Sequence, residues 1–250
     1  MATARKIDRK QLKKPDEFVQ TGQSVLGWAL ENKALVSAVG GGVLLLGLGI
    51  SLGAWWSEKT ATEASLAMGD AIAVATRPVI ESDAPKSDDP YFPSEEAKVA
   101  SARESYEAVR VAHPGSEAAA MAALKLGDLA LTSGDLAAAK ARYDDFLVEA
   151  GAGNTLRYAA YEGRAYAFEA EGDLDGALEA IERMLEDSGT TFYRPFALVQ
   201  QARLLKALGR GDEARVAAQE VVDSFAESPA RAHADRLLEG LPAAPASSEG

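Results

Sequence analysis

The sequence contains no cysteine and only two histidines, His113 and His233, which lie far apart along the chain. The absence of cysteine excludes disulfide bonds, zinc–thiolate sites, thiol nucleophiles and lipid attachment through a thiol. No G-x-S-x-G motif and no phosphate-binding glycine loop accompanies the two histidines. We therefore expect a protein that is not an enzyme and that needs neither a cofactor nor a metal ion.

Charged residues are absent from residues 34–56, and the sign of the charge differs on the two sides of this stretch. Residues 1–33 contain seven basic and four acidic residues, whereas residues 57–250 contain 19 basic and 34 acidic residues. We call residues 57–250 the acidic body. Nucleic-acid binding depends largely on neutralising phosphates, so the net negative charge of this body argues against a nucleic-acid partner.

The uncharged stretch 34–56 predicts a transmembrane helix. Its 23 residues would form a helix about 34 Å long, enough to cross a hydrocarbon core of ~30 Å. Trp28 precedes the stretch and Trp55 and Trp56 close it, and indole rings favour the membrane interface. A buried core helix and a cleaved signal peptide are the alternatives, but 33 residues precede the apolar run, which is long for a signal peptide.

The distribution of lysine and arginine predicts the orientation of this helix. Six basic residues lie within residues 5–14, and on the far side only Lys59 is close to the span. Cytoplasmic flanks carry the excess of basic residues, so the N-terminus should face the cytoplasm and the acidic body the opposite compartment.

Two features of the N-terminal region bear on assembly. Gly49 and Gly53 have the spacing of a G-x-x-x-G motif, which would permit a homodimer through close contact of two membrane helices. Residues 16–32 place apolar side chains at helical spacing and predict an amphipathic helix on the cytoplasmic surface. The alternative is that this segment continues the membrane helix.

A repeated glycine pattern organises the acidic body. Gly134, Gly172 and Gly209 are separated by 38 and 37 residues, and each is followed at offsets of 5, 9 and 12 by apolar residues that pack on one helix face. A small residue precedes each glycine by seven positions and would permit close helix contact, while the glycine ends the first helix of a hairpin. The repeated positions include Gly127, Ala139, Tyr143, Ala177 and Ala214.

This pattern resembles the tetratricopeptide repeat (TPR) family, although its period exceeds the family's period of about 34 residues and the first two hairpins lack the closing proline. The resemblance implies an all-α fold, with a TPR-like α-solenoid of about three and a half hairpins over residues 57–240. We expect an inserted acidic loop at 78–94, no sheet and a disordered tail at 241–250. The predicted helices lie near 58–77, 95–112, 116–132, 135–149, 155–171, 174–187, 192–208, 211–225 and 229–239.

In tetratricopeptide arrays the first helix of each pair lines the concave face. The resemblance therefore makes four residues of the helix near 155–171 candidates for binding a protein: Tyr158, Tyr161, Arg164 and Tyr166. Tyrosine and arginine are enriched in protein interfaces. The alternative is that these aromatic residues fill the core of the longer repeats.

The order of a basic N-terminus, one span and alanine-rich hairpins is similar to that of bacterial inner-membrane tetratricopeptide proteins of the YfgM-like type, ancillary subunits of the Sec translocon. That resemblance implies a single-pass protein of the bacterial inner membrane with a periplasmic C-terminal domain. Its expected partners are translocon subunits or periplasmic chaperones, and its expected role is to assist protein translocation or chaperone hand-over. The alternative is a structural scaffold or assembly factor of another envelope complex, in secretion, motility or division.

Overall fold

A computed structural model describes residues 27–28, 30–80 and 90–241 of the chain. Most of the predicted amphipathic helix over 16–32 and nearly all of the predicted tail over 241–250 lie outside these residues. The same holds for much of the predicted loop over 78–94.

Most of the described residues are helical, and the β pairing among them is one isolated bridge between Val79 and Phe92. A 3₁₀ helix spans Ser188–Tyr193. The α-helices of the described residues are α1 (Lys33–Ala75), α2 (Glu95–Ala112), α3 (Glu117–Thr132), α4 (Leu136–Glu149), α5 (Arg157–Glu171), α6 (Leu174–Glu186), α7 (Arg194–Ala207), α8 (Gly211–Ser224) and α9 (Arg231–Glu239).

The chain divides into two compact units, Met1–Glu58 and Lys59–Gly250. In the first unit, the described part of α1 exposes its large apolar side chains, such as Leu44 at 76%. By length and composition α1 can cross a membrane, and none of its most apolar window is buried by the rest of the protein.

The helix α1 is longer than the sequence analysis predicts. We expected a span at 34–56 followed by a separate helix near 58–77, whereas the structure has one continuous helix from Lys33 to Ala75. No proline or glycine occurs between residues 54 and 68, so nothing in this stretch interrupts the helical hydrogen bonds.

The second unit is built from helical hairpins that turn at the predicted glycines. Gly134, Gly172 and Gly209 have φ values of 77°, 83° and 77°, in the left-handed region that ends a helix. Asp135 and Asp173 then cap the following helices, because their carboxylates accept backbone N–H groups of the first turn. One turn further on, small residues are completely buried: Ala139, Ala177 and Ala214.

The apolar core is a row of four clusters along the second unit. The first joins residues 64–71 of α1 to α2 and α3, and the next three join α3–α5, α5–α7 and α7–α9. From α2 onward, each helix contacts helices one or two places away along the chain. Stacking of this kind defines a solenoid, so the predicted all-α, TPR-like architecture is confirmed.

The repeats are longer than about 34 residues because the connections between hairpins are long. The stretch from Ala150 to Leu156 separates α4 from α5, and the 3₁₀ helix separates α6 from α7. The sequence analysis placed the start of α7 near residue 192, inside that 3₁₀ helix; Pro195 instead lies in the first turn of an α-helix that begins at Arg194.

Candidate functional site

The four predicted binding residues of α5 separate into two groups. Tyr158 is half-buried and Tyr166 is 41% exposed, whereas Tyr161 is only 8% exposed and the side chain of Arg164 only 15%. Tyr161 and Arg164 lie three residues apart on one side of α5 and are covered by neighbouring elements, so the four side chains do not form one exposed surface.

Tyr161 belongs to a buried network that joins α5 to the end of α6. Its hydroxyl donates to Asp187 Oδ2 at 3.0 Å, and Arg157 Nε donates to the same oxygen at 2.6 Å. Arg157 Nη1 also donates to the carbonyl oxygens of Leu147 and Ala150, at 2.6 and 3.2 Å. One guanidinium therefore holds together α4, α5 and the segment that follows α6.

The electrostatics of this network favour the ionised form of Asp187. Burial alone would raise the pKa of this carboxyl, but hydrogen bonds from Arg157, from the Gly189 N–H and from Tyr161 outweigh burial and lower it. Burial and the hydrogen bond to Asp187 raise the pKa of Tyr161. Both groups thus keep their ordinary charge at neutral pH.

Arg164 contacts the preceding hairpin. Its Nε lies 3.2 Å from Asp144 Oδ1 on α4, as an ion pair that lacks hydrogen-bond geometry. Its guanidinium also lies over the ring of Phe168, 5.4 Å from the centroid. Arg164 therefore packs between two hairpins, while a role in partner binding stays a prediction for this residue and for Tyr161.

An apolar groove lies beside Tyr158, between α5 and α7. We call it the α5–α7 groove, and it is a cavity of about 190 Å³. Tyr158 stacks on Tyr193 of the 3₁₀ helix, with ring centroids 3.6 Å apart and an interplanar angle of 21°. The groove is lined by Tyr158, Glu162, Ile181, Met184, Tyr193, Phe196, Ala197 and Gln200.

Tyr166 continues this surface by one helical turn. Its hydroxyl donates to Glu162 Oε1 at 3.3 Å and accepts from Gln200 Nε2 at 3.3 Å, which links α5 to α7. Burial and the nearby Glu162 carboxylate raise the pKa of Tyr166. Burial and the contact with Tyr193 raise the pKa of Tyr158. Both phenols are therefore neutral at physiological pH and present aromatic faces beside one carboxylate.

The sequence analysis missed the half of the groove that comes from the 3₁₀ helix and α7. Tyr193 and Phe196 supply aromatic surface there, and Phe196 is 42% exposed. The neighbouring Phe192 is 80% exposed. The signal in the sequence was the group of three aromatic residues within 192–196, close to the start of a first helix.

The lining of the groove is mainly apolar and aromatic. This lining contains no histidine, serine or threonine, and its ionisable side chains are Glu162, Tyr158 and Tyr193. Within residues 27–28, 30–80 and 90–241 no three His, Cys, Asp or Glu side chains are grouped as metal ligands. Two more open cavities are present. One of about 820 Å³ lies along α2 between Glu95 and Glu107 and reaches the end of α3, and one of about 610 Å³ is lined mainly by the loop Ala150–Leu156.

Comparison with known proteins gives one structural likeness to report. The crystal structure of MamA superposes with a TM-score of 0.42 at 18% sequence identity, over 58% of this chain and 87% of that one. No protein-family model matches the chain, and no curated protein matches it. The MamA superposition is too loose to support an argument, so the fold assignment above depends on the hairpins, the turn glycines and the stacked cores of the chain itself.

Proposed function

We propose that this chain is a membrane-anchored protein-interaction module. The observation that carries the proposal is the α5–α7 groove, an apolar and aromatic cleft on a solenoid whose chain also contains a helix able to cross a membrane. The helix would hold the solenoid at a membrane surface, and the groove would bind a segment of a partner protein.

The composition of the groove supports a protein as the ligand. Tyrosine and other large aromatic residues are common among the residues that dominate binding energy in protein interfaces. Phe196 and Tyr166 are each about four-tenths exposed, so both can bury further area against a partner. Stacking against Tyr193 fixes the ring of Tyr158, which lowers the entropy lost on binding.

The resemblance to the YfgM-like proteins is the basis for the compartment, the partners and the role that we propose. The N-terminus would lie in the cytoplasm and the solenoid on the periplasmic side of a bacterial inner membrane. Partners would then be translocon subunits or periplasmic chaperones, and the module would assist translocation or chaperone hand-over. In the scaffold alternative the cytoplasmic helix at 16–32 would matter as much as the solenoid, and most of that helix lies outside the described residues.

Purification from native membranes tests the proposal. The full-length protein is isolated in mild detergent and its partners are identified by mass spectrometry, with the variants Phe196→Ala and Tyr158→Ala beside the wild type. Val148→Ala is the matched control, because Val148 is an exposed apolar residue of α4 outside the groove.

We expect a discrete partner with wild type and Val148→Ala, and a loss of at least tenfold with either groove variant, since truncating a dominant interface residue costs about 2 kcal/mol. Equal recovery with all four proteins would contradict binding through the groove. Recovery of a secretion, motility or division complex instead of translocon subunits or chaperones would support the scaffold alternative.

A further inference from the structure

The α5–α7 groove contains one charged residue, Glu162. Its carboxylate accepts a hydrogen bond from Tyr166 at 3.3 Å, and no cation of the described part of the chain pairs with it within 4 Å. A carboxylate at the edge of an apolar cleft is a site that attracts a cation from a ligand.

The arginines near the groove form ion pairs with other carboxylates. Arg157 pairs with Asp187 at 2.6 Å, and Arg194 pairs with Glu220 at 2.9 Å. Arg203 donates two hydrogen bonds to Glu169, at 2.6 and 2.7 Å. These ion pairs leave the charge of Glu162 uncompensated within the groove.

The size of the groove limits what can enter it. An enclosed apolar cavity of about 150 Å³ holds one benzene molecule, and this groove has a volume of about 190 Å³. One large aliphatic or aromatic side chain therefore fits between Tyr158, Met184 and Phe196, next to the Glu162 carboxylate.

We propose that the α5–α7 groove recognises a protein segment in which a lysine or arginine lies beside one large apolar side chain. The apolar side chain occupies the cleft, and the cation pairs with Glu162. The inference depends on the proposed function, because it names the chemistry of the partner at the same site.

The net negative charge of the whole acidic body also favours a cationic partner segment. Residues 57–250 contain 34 acidic and 19 basic residues, which gives a negative field that speeds the approach of cationic segments and repels acidic ones. An acidic peptide tail would meet repulsion both from the body and from Glu162.

Selection from a random peptide library tests the proposal. The full chain is placed in nanodiscs of phosphatidylcholine, a lipid with no net charge, and a phage-displayed library of 12-residue peptides is selected on it. Enriched peptides are then synthesised, and their affinities are measured by fluorescence anisotropy for wild type, Glu162→Gln, Glu162→Lys and Phe196→Ala. Glu179→Gln is the control, because Glu179 forms an exposed pair with Arg183 outside the groove.

We expect the enriched peptides to contain Lys or Arg next to Leu, Ile, Met, Phe or Trp. Their affinity should fall about fivefold with Glu162→Gln and further with Glu162→Lys, as for the loss and reversal of a partly exposed ion pair. Binding should weaken as salt shortens the Debye length, and Glu179→Gln should bind as wild type does.

Two other results would overturn the inference in different ways. Peptides that need Phe196 but are acidic or uncharged, and that bind Glu162→Lys as tightly as wild type, would refute the partner chemistry and leave the proposed function standing. The absence of any enriched peptide that depends on Phe196 would contradict the proposed function and this inference together.

Discussion

The phenol of Tyr161 donates a hydrogen bond to Asp187 across 3.0 Å and so joins the middle of α5 to the segment after α6. This contact turns Tyr161 away from the α5–α7 groove, while Tyr158, one turn earlier, stacks on Tyr193 at its edge. The two tyrosines therefore have different tasks. Tyr161 helps to hold α5 against the end of α6 within one hairpin, and Tyr158 shapes the surface that we propose for binding.

Replacing Asp187 by asparagine should destabilise the solenoid. The change leaves the Arg157 guanidinium, only 13% exposed in its side chain, without its carboxylate, and breaking such a buried pair costs about 3 kcal/mol. Thermal unfolding of the full-length protein in detergent, followed by circular dichroism, measures the loss. Glu179→Gln, which removes an exposed pair with Arg183, should change the stability by less than about 1 kcal/mol.

The effect of Asp187→Asn should depend on pH. The pKa of Asp187 is lowered from its ordinary value of 3.8, so its contribution to stability is full above the pKa of the unfolded carboxyl. It is lost as the pH falls through the lowered pKa of the folded state. The difference in unfolding free energy between wild type and variant should therefore be constant near neutral pH and shrink below pH 3.8. A difference that grows on acidification would refute this role.

Gly163→Ala should destabilise the second hairpin, although alanine favours helices. The ring of Tyr143 lies against Gly163, in the space that a Cβ would occupy. The same ring also lies against Gly127, where a Cβ would be 2.7 Å from Tyr143 Cε1. Overpacking costs about 1–3 kcal/mol, against a helix gain of about 1 kcal/mol. Gly69→Ala is the control, since nothing lies within 4 Å of its Cβ position, and it should be neutral or stabilising.

The turn glycine Gly172 should not tolerate alanine. Its φ of 83° costs an L-residue about 1–2 kcal/mol, and asparagine visits this region more readily. Denaturant titration should therefore rank stability as wild type, then Gly172→Asn, then Gly172→Ala. Equal stability of the asparagine and alanine variants would show that the left-handed backbone conformation does not determine which residues are tolerated at position 172.

Protease treatment of spheroplasts should distinguish the two orientations of the membrane helix. The basic residues at 5–14 predict a cytoplasmic N-terminus, so protease added outside should digest the body beyond residue 57 and leave an N-terminal tag protected. Protection of the body in intact spheroplasts, with digestion only after lysis, would indicate the opposite orientation.

The helix pattern was predictable because local chemistry determines it. Ser94 and Ser116 cap α2 and α3 by accepting backbone N–H groups, and left-handed glycines end the first helices of the hairpins. Helix boundaries in the solenoid were therefore predicted within a few residues. The continuity of α1 could not be read from composition, because charged residues begin again after Trp56 while the helical hydrogen bonds continue to Ala75.

The proposed binding surface was less predictable, because exposure on α5 depends on packing against residues that are distant in the sequence. Tyr158 and Tyr161 look alike in the sequence, and the 3₁₀ helix and the end of α6 decide which of them is buried. Phe196 belongs to a different repeat, so its place beside Tyr158 follows only from the stacking of α7 on α5 and α6.

Site-specific photo-crosslinking in native membranes tests the central claim most directly. A photoreactive residue replaces Phe196 in the groove, or Val148 on α4 as the control, in the full-length protein. The account predicts a discrete adduct with a partner protein from position 196, none from position 148, and loss of the adduct when Tyr158→Ala is added. No adduct at position 196, or the same adducts from both positions, would contradict a membrane-anchored interaction module that binds through this groove.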